Sequence, residues 1–373
     1  MIAVEIAVLG GGPAGAATAS LLAAAGREVL LLERAAEPRH KVCGEFLSVE
    51  TGTSLARLGI DPQALGAASI ERLSLWTPLG SGAAALPFRA LSLSRRRLDR
   101  AILDRAVKKG AAAWRGVSVR SAEPLDTGWR LRCRQGEIIR CRTLVLATGK
   151  LAPRTLADGR DGSRVGLKMH LRLAAEAAHA LAGQVELFVL PYGYAGLARV
   201  EDGVANLCLL LPAGVAAGIG SGWAALRDFL AATPALARRL DGAAALWEKP
   251  YAVVCPAGGY LRRGLPGPEN PLYPVGDRLA HIPPFTGDGL AIALHSAAAA
   301  AEHICRGGSP AAYLAEMRRR IVPALRVAGV VSGLAAHRTG SVMLTGIAKY
   351  APRLLRTIAR QTRLSLPSPP SGF

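Results

Sequence analysis

"VEIAVLGGGPAGAATASLLAAAGREVLLLER", residues 4–34, decides the fold. Val4 to Leu9 is a short buried-strand pattern that runs straight into glycines. The segment behind the glycines is rich in Ala and Leu, the composition of a helix. Glu28 to Leu32 reads as a second strand, ending at Glu33. Strand, Gly-rich turn, helix and strand together open a doubly wound α/β layer. Gly10, Gly12 and Gly15 stand in GxGxxG spacing. The first allows a tight turn, the second lets a diphosphate approach the backbone, and the third lets helix and strand pack closely. The diphosphate would sit on the helix N-terminus, where free N–H groups and the dipole favour anions. Glu33, followed by Arg34, lies 23 positions after Gly10, where a carboxylate can accept hydrogen bonds from a ribose. The stretch therefore predicts dinucleotide binding.

A second signal lies far along the chain. "PVGDRLAHIPPFTGDGLAIALHSA", residues 274–297, joins a short strand to a long Ala-rich helix. Asp277 can accept a hydrogen bond from a ribityl hydroxyl. Gly287 and Gly289 open the helix, so its N-terminus can meet the electron-rich edge of a flavin ring, where negative charge develops on reduction. This points to FAD over NAD as the bound dinucleotide.

Between the two signals the order is helix, strands, a second return to the first layer, and a β-rich middle. Ser54 to Leu58 sits in a helix stopped by Gly59, and residues 70–93 alternate as strands. "RRRLDRAILDRAVKKG" reads as an amphipathic helix with Leu98, Ile102 and Val107 near one face. Val117 to Thr143 reads as a β-meander, and "TLVLATG" as a strand ending in the turn at Gly149. "GLKMHLRL", "QVELFVLPYGYAGLARV" and "VANLCLLL" are further strands. Residues 203–226 carry no charge but contain Pro212 and several glycines, so they read as strand, turn and helix start, not as a membrane span.

Taken together, these motifs resemble one family. GxGxxG at the start, "SRRRLD" before a helix, "LVLATG" in the middle and "GD…PPFTGDG" late resemble the geranylgeranyl reductase branch of FAD-dependent oxidoreductases. That branch shares its fold with flavin monooxygenases of the p-hydroxybenzoate hydroxylase type. The resemblance covers roughly residues 2–310. It implies that Gly10, Gly12 and Gly15 hold the diphosphate and Glu33 the adenosine ribose, with Arg34 beside it. It places Arg95 near the flavin's linker, Gly276 and Asp277 in the second FAD motif, and Pro284, Gly287, Gly289 and Leu290 at the turn beside the ring. Gly149 joins this cofactor set. "RHKVCGEFLS", residues 39–48, would be the loop that passes the flavin, with Cys43 and Gly44 at the ring. A Gly there permits close approach, and the thiol is either a proton donor or a small buried filler.

Two departures concern the substrate. Arg278 and Leu279 follow the Gly-Asp pair, where the family usually has small residues. "GYAGL", residues 193–197, replaces a Trp-bearing segment over the pocket. The WxWxIP segment of flavin halogenases is absent.

The implied fold is α/β: a Rossmann-type FAD-binding layer, an inserted antiparallel β-sheet substrate layer, and C-terminal helices. The expected division is residues 1–75, 90–160 and 265–310 for the FAD layer, 76–89 and 161–264 for the substrate layer, and 311–373 for the helices and a basic tail. The expected activity is FAD-dependent oxidoreduction of a lipophilic small molecule, with NAD(P)H as a transient donor. Reduction of a C=C bond leads; hydroxylation of an aromatic or polyketide-like compound stays open, as does a flavin-bearing lipid carrier without turnover. Candidate catalytic groups are Cys43, His170 and Tyr194. Lys168 and His170 share one strand face, and His170 reads as a proton donor or, more commonly for such a position, an exposed residue. Phe285 walls the site or belongs to the core.

The formal charge is +19, and only 7 of the 46 basic residues are Lys. Aromatic residues make up 5% and do not interleave with Arg, which argues against nucleic acid. Six cysteines form no CxxC pair and have no His at zinc-ligand spacing, so no metal is expected. No basic-then-apolar leader opens the chain, which suggests a cytoplasmic protein with free thiols. From Met317 to Phe373 there is no Asp or Glu and there are ten Lys or Arg. Lys349, Arg353, Arg356 and Arg360 form a helical stripe, a surface for the inner face of an anionic membrane or an acidic carrier protein, or simply a solvated face.

Overall fold

The computed structural model describes residues 2–363 apart from 151, 152, 157–161, 257, 258, 284, 286, 337–339, 341, 342, 344, 345, 348 and 362. The chain opens with β1 (Ile2–Leu9), α1 (Pro13–Ala24) and β2 (Val29–Glu33). Pro13 stands in the first turn of α1, where its missing N–H costs nothing. Eight consecutive residues of α1, Pro13 to Ser20, are buried, which is why this stretch of the helix is built of small side chains. Gly15 decides the contact: a Cβ there would lie 1.9 Å from the Gly10 carbonyl oxygen and 2.9 Å from Ala147 Cβ.

The chain continues through β3 (Phe46–Leu47), α2 (Val49–Arg57), β4 (Ala68–Thr77), β5 (Gly80–Ser92) and α3 (Arg95–Lys108). β6 (Ala112–Arg115), β7 (Val119–Pro124), β8 (Trp129–Cys133) and β9 (Ile138–Leu146) follow. The first sheet runs β6-β2-β1-β9, all parallel, and β9 then turns back through the antiparallel β8 and β7. In α3 the buried stripe is Leu98, Ile102, Leu103 and Ala106, whereas Val107 is about half exposed; a 3.6-residue period carries position 107 off the face begun at 98.

The second sheet adds β10 (Arg164–Arg172), the helix α4 (Ala175–Ala180), β11 (Gln184–Leu190), β12 (Gly193–Arg199) and β13 (Ala205–Pro212). Pro191 and Tyr192 separate β11 from β12, so the single long strand expected at 184–200 is a hairpin. The helices α5 (Ala213–Gly218), α6 (Trp223–Leu230) and α7 (Pro234–Leu240) follow, and the Leu residues of α6 and α7 join the apolar face of this sheet. β14 (Ala244–Ala245) and β15 (Tyr251–Cys255) both pair with β10. The order is β14-β10-β13-β12-β11-β4-β5-β3, antiparallel except for the parallel pair β4 and β11. All of β4 lies in this sheet, because its hairpin partner β5 does. A boundary at 75/76 would therefore cut a strand.

The chain then returns to the first layer. β16 (Tyr260–Leu261) pairs with β18 (Ala280–His281), and β17 (Leu272–Pro274) adds to β9 in parallel. The long α8 (Gly289–Cys305) packs beside α1 in the main core, followed by α9 (Pro310–Ala336) and α10 (Pro352–Gln361). No helix among the described residues is long and apolar enough to cross a membrane.

Candidate active site

One large cleft runs along the seam between the two sheets. Its volume is about 1270 Å³. Small-molecule pockets usually span about 300–1,000 Å³, so this one can hold a dinucleotide together with a substrate. It begins at Gly10 and Gly12, passes Glu33 and Arg34, and reaches Cys43, Gly44 and Arg95. Gly149, Gly276, Asp277, Gly287, Gly289 and Leu290 line its middle, and Tyr194 and Phe285 its far wall. Residues spread over 280 positions of sequence thus meet in one channel, because β1, β9 and β17 end side by side and deliver their turns to the same edge.

The glycines divide into two kinds. Gly10 and Gly276 have positive φ, 106° and 57°, and a Cβ at either would meet protein: the Ala147 carbonyl oxygen at 2.5 Å, or Ala14 Cβ at 3.0 Å. These shape the turn. At Gly44, Gly149 and Gly289 a Cβ would meet no protein atom within 4 Å, although each lines the cleft. Open space beside a bare backbone is what a cofactor ring and ribityl chain need. Gly15 does not line the cleft and serves helix packing instead.

The charges fit the same group. Glu33 accepts from Gly11 N at 2.6 Å and Ala35 N at 2.9 Å, which holds its carboxylate at the end of β2. Burial raises the pKa of Asp277, but a hydrogen bond from His281 and the nearby Lys150 and Arg95 outweigh it, and the value falls to about 2. Asp277 is therefore an ionised acceptor. Arg95 is paired with Asp99 at 2.8 and 3.1 Å and lines the cleft together with Cys43. Burial disfavours the Arg95 charge, yet Asp99 and Cys43 more than reverse this. Lys41 holds the second side of Asp99 at 2.8 Å. The α8 N-terminus, capped at Asp288, opens the far side of the channel. The glycine gaps, an ionised Asp277 and this helix end fit FAD. Pro284 lies outside the described residues.

Cys43 stands at the cleft edge, half-buried, with Glu45 N donating to its sulfur at 3.4 Å. Tyr194 faces Phe285 edge-on, ring centroids 5.2 Å apart. Burial pushes the Tyr194 phenol well above its ordinary value, so it stays protonated. Lys150, which motif reading missed, lines the cleft and donates to Cys255 Sγ at 3.0 Å.

His170 is not an exposed strand residue. It is 3% exposed and bonds Glu45 Oε2 through Nε2 at 2.7 Å. It sits behind Glu45 and does not line the cleft. Alternation along β10 told only that Lys168 and His170 share a face; the face they share is the one the loop 39–48 covers. Glu45 itself gave no signal beyond its place in "CGE". The same packing brings His40, Glu45 and His170 within 4.8 Å of one another, a grouping that sequence spacing does not suggest. The Lys168 ammonium already pairs with this carboxylate, which opposes a dication there. Burial and the cation Lys168 hold His40 at about 4, so it is neutral.

Residues 3–150 match the family model described as "FAD binding domain". Curated relatives are the menaquinone reductase of Mycolicibacterium smegmatis, 26% identical over 82% of this chain and 77% of that protein, and that of Mycobacterium tuberculosis, 28% identical over 80% and 76%. Among solved structures, a flavoprotein/dehydrogenase from Cytophaga hutchinsonii aligns with TM-score 0.74 at 17% identity, covering 96% of this chain and 98% of that one. The flavin-dependent brominase Bmp2 aligns with TM-score 0.78 at 17% identity, over 96% and 93%. The matched domain and the cradle built from Gly10, Gly44, Asp277 and the α8 N-terminus lead to one conclusion: the chain carries an FAD-binding domain and is an FAD-dependent oxidoreductase.

Proposed function

We propose that this oxidoreductase reduces a C=C bond in a lipophilic, isoprenoid-like molecule, in the manner of the geranylgeranyl reductase branch. The observation that carries the reading is Cys43: a thiol at the cleft edge that accepts from Glu45 N–H, on the loop beside the open Gly44, with the Arg95 cation lining the same cleft. Bound FAD, reduced by NAD(P)H or another donor, supplies the hydride equivalent. The protein supplies the rest. The turn at Gly10 and Gly12 would hold the diphosphate, and Asp277 would accept from the ribityl chain. Leu73, Leu75, Val185, Leu187 and Leu209 of the second sheet, with Phe285 from the segment before α8, give an apolar wall for a hydrocarbon substrate. Cys43 delivers the proton to the second alkene carbon, and the Arg95 charge offsets the thiolate left behind. Water entering the open cleft returns that proton. The mycobacterial relatives are menaquinone reductases, which is in keeping with a polyprenyl substrate here.

The test is anaerobic incubation of donor-reduced holoprotein with menaquinone, followed by mass spectrometry of the lipid. The reading expects a gain of two hydrogens in the prenyl chain that persists after reoxidation in air, because reduction of the quinone ring alone also adds two but is reversed by oxygen. No gain, with oxygen uptake and an oxygenated product when air is admitted, would replace it with the hydroxylation reading.

A lipophilic substrate needs a route to the cleft. We infer that the C-terminal segment lies on anionic lipid. Lys349, Tyr350, Arg353, Leu354 and Arg360 are all exposed there, with Tyr350 at 78%. Arg363, just past α10, reaches back into the cleft lining and pairs with Asp288 at 2.5 Å. Its guanidinium lies over the rings of Phe46 and Phe88. The basic segment thus ends at the substrate cavity.

A further inference from the structure

The loop 39–48 has an anchor that neither a cofactor motif nor the proposed reaction calls for. Glu45 adopts φ 59°, a left-handed backbone conformation that a residue with a side chain adopts at a cost. Its side chain is fully buried, and a buried carboxylate survives only when its oxygens are paired. Here every polar atom is used. Oε1 takes the Lys168 ammonium and accepts from Arg95 N at 2.6 Å. Oε2 is 2.7 Å from His170 Nε2. The carbonyl oxygen accepts from Leu93 N and from Ser92 Oγ, both at 3.1 Å. The N–H points at Cys43 Sγ.

These partners come from both layers. Lys168 and His170 lie on one face of β10 in the second sheet, and Arg95 N opens α3 in the first layer. Asn206, opposite His170 in the register of β13, donates to the Cys43 carbonyl at 3.0 Å. Cys43 is therefore held on both sides: its own carbonyl by Asn206, and its neighbour Glu45 by Lys168, His170 and Arg95. Once the Glu45 carboxylate is pinned, the backbone at 43–45 cannot rotate without breaking a buried ion pair.

We propose that Glu45, clamped by Lys168 and His170, is the positioning residue that sets Cys43 and Gly44 against the flavin channel and locks that edge to the substrate sheet. Glu45 acts through the loop: it lines the cleft beside Cys43, but its oxygens are taken up by the clamp. The inference rests on the flavin-facing reading of Cys43 and Gly44 but not on any particular reaction.

The test uses Cys43 alkylation, read by peptide mass spectrometry with and without FAD, in wild type, Glu45→Gln, Lys168→Met and Lys168→Arg. Cys141, buried at β9 and outside the cleft, is the internal control in the same samples. In the wild type, FAD is expected to slow Cys43 alkylation. In Glu45→Gln and Lys168→Met, FAD protection of Cys43 should be lost and FAD affinity weakened by about tenfold or more, since small displacements at a site have effects of this order. Lys168→Arg keeps the charge and should restore part of the protection. The proposal is overturned if folded Glu45→Gln and Lys168→Met protect Cys43 as the wild type does. It is equally overturned if the buried Cys141 becomes reactive in step with Cys43, which would mean general loosening. Because no substrate is present, this outcome is independent of whether C=C reduction is observed.

Discussion

His170 Nε2 lies 2.7 Å from Glu45 Oε2, although 125 positions separate them in the chain, and both side chains are out of solvent. With the Lys168 ammonium on the other oxygen, the pair forms an ionic clamp between a loop and a sheet. Removing one partner of such a clamp leaves the other buried and uncompensated. Lys168→Met should lower unfolding free energy by about 3–5 kcal/mol in urea titrations of the apoprotein. Adding Glu45→Gln to Lys168→Met should recover part of that loss, because a neutral amide needs no counter-ion. A double variant less stable than Lys168→Met would contradict the clamp.

Gly44 separates cofactor space from protein packing. A Cβ there meets no protein atom within 4 Å, and its φ is not left-handed. Gly44→Val should leave apoprotein stability within about 1 kcal/mol of wild type while weakening FAD binding by about tenfold or more. Gly15→Ala is the contrast: its Cβ would strike the Gly10 carbonyl oxygen, so stability and FAD binding should fall together. Thermal melts and flavin fluorescence titrations read both quantities.

Cys43→Ala tests proton delivery. The variant should retain FAD, because the channel is built largely from backbone and from Asp277, and should reduce menaquinone about 10²-fold more slowly or worse. Full turnover with bound FAD would make the thiol a filler. Cys208 is the control: burial raises its thiol to about 12, so it is a poor proton source, and Cys208→Ala should leave the rate little changed.

Acid should destabilise the protein in two stages. His40 and His295 are held at about 4, below the ordinary value, burial being the main cause and nearby cations adding to it. The unfolded chain takes up those protons first, so stability should decline as the pH drops from about 6.5 to about 4. Glu45 and Asp99 lie below the usual carboxylate range, and Asp277 at about 2. Burial opposes all three, but paired cations and hydrogen bonds prevail. Their contribution is complete above the unfolded-state pKa near ~4 and is lost as the pH falls through the folded values. Unfolding midpoints measured across this range should therefore show a second, steeper fall below about pH 4; a flat profile down to that point would contradict the buried neutral histidines.

The C-terminal segment should bind anionic vesicles. Full-length protein should co-sediment with phosphatidylglycerol vesicles, less so as salt rises, and not with neutral ones. A chain ending at residue 344 should lose this binding yet keep FAD. Equal recovery of both forms would remove the membrane face from the proposal.

How much of this was written in the local sequence depends on the range of the interactions. β1, α1 and β2 were legible because each depends on neighbours: a strand-length apolar run, Pro13 in a first turn, and glycines whose missing Cβ makes room for a carbonyl 5 positions away. The late turn at Gly276 and Asp277 and the helix at Gly289 were legible for the same reason. The hairpin at Pro191 was not, since alternation continues through it and only pairing shows the reversal.

The surroundings of the cleft divide along the same line. "CGE" marks a loop and its thiol, but Glu45 gives no signal of its own, and His170 reads as a proton donor or, more commonly for such a position, an exposed residue. Sequence by itself determined the dinucleotide turn, the FAD-type second motif and the identity of the groups available. The tertiary structure alone decided that Lys168 and His170 face inward, that Arg95 and Cys43 line one cleft, and that a left-handed Glu45 joins two layers. The physical reason is that local backbone preferences act within a few residues, whereas burial and charge pairing depend on which strands the fold brings together. For Glu45 and His170 that meeting spans 125 positions, and no window along the chain contains it.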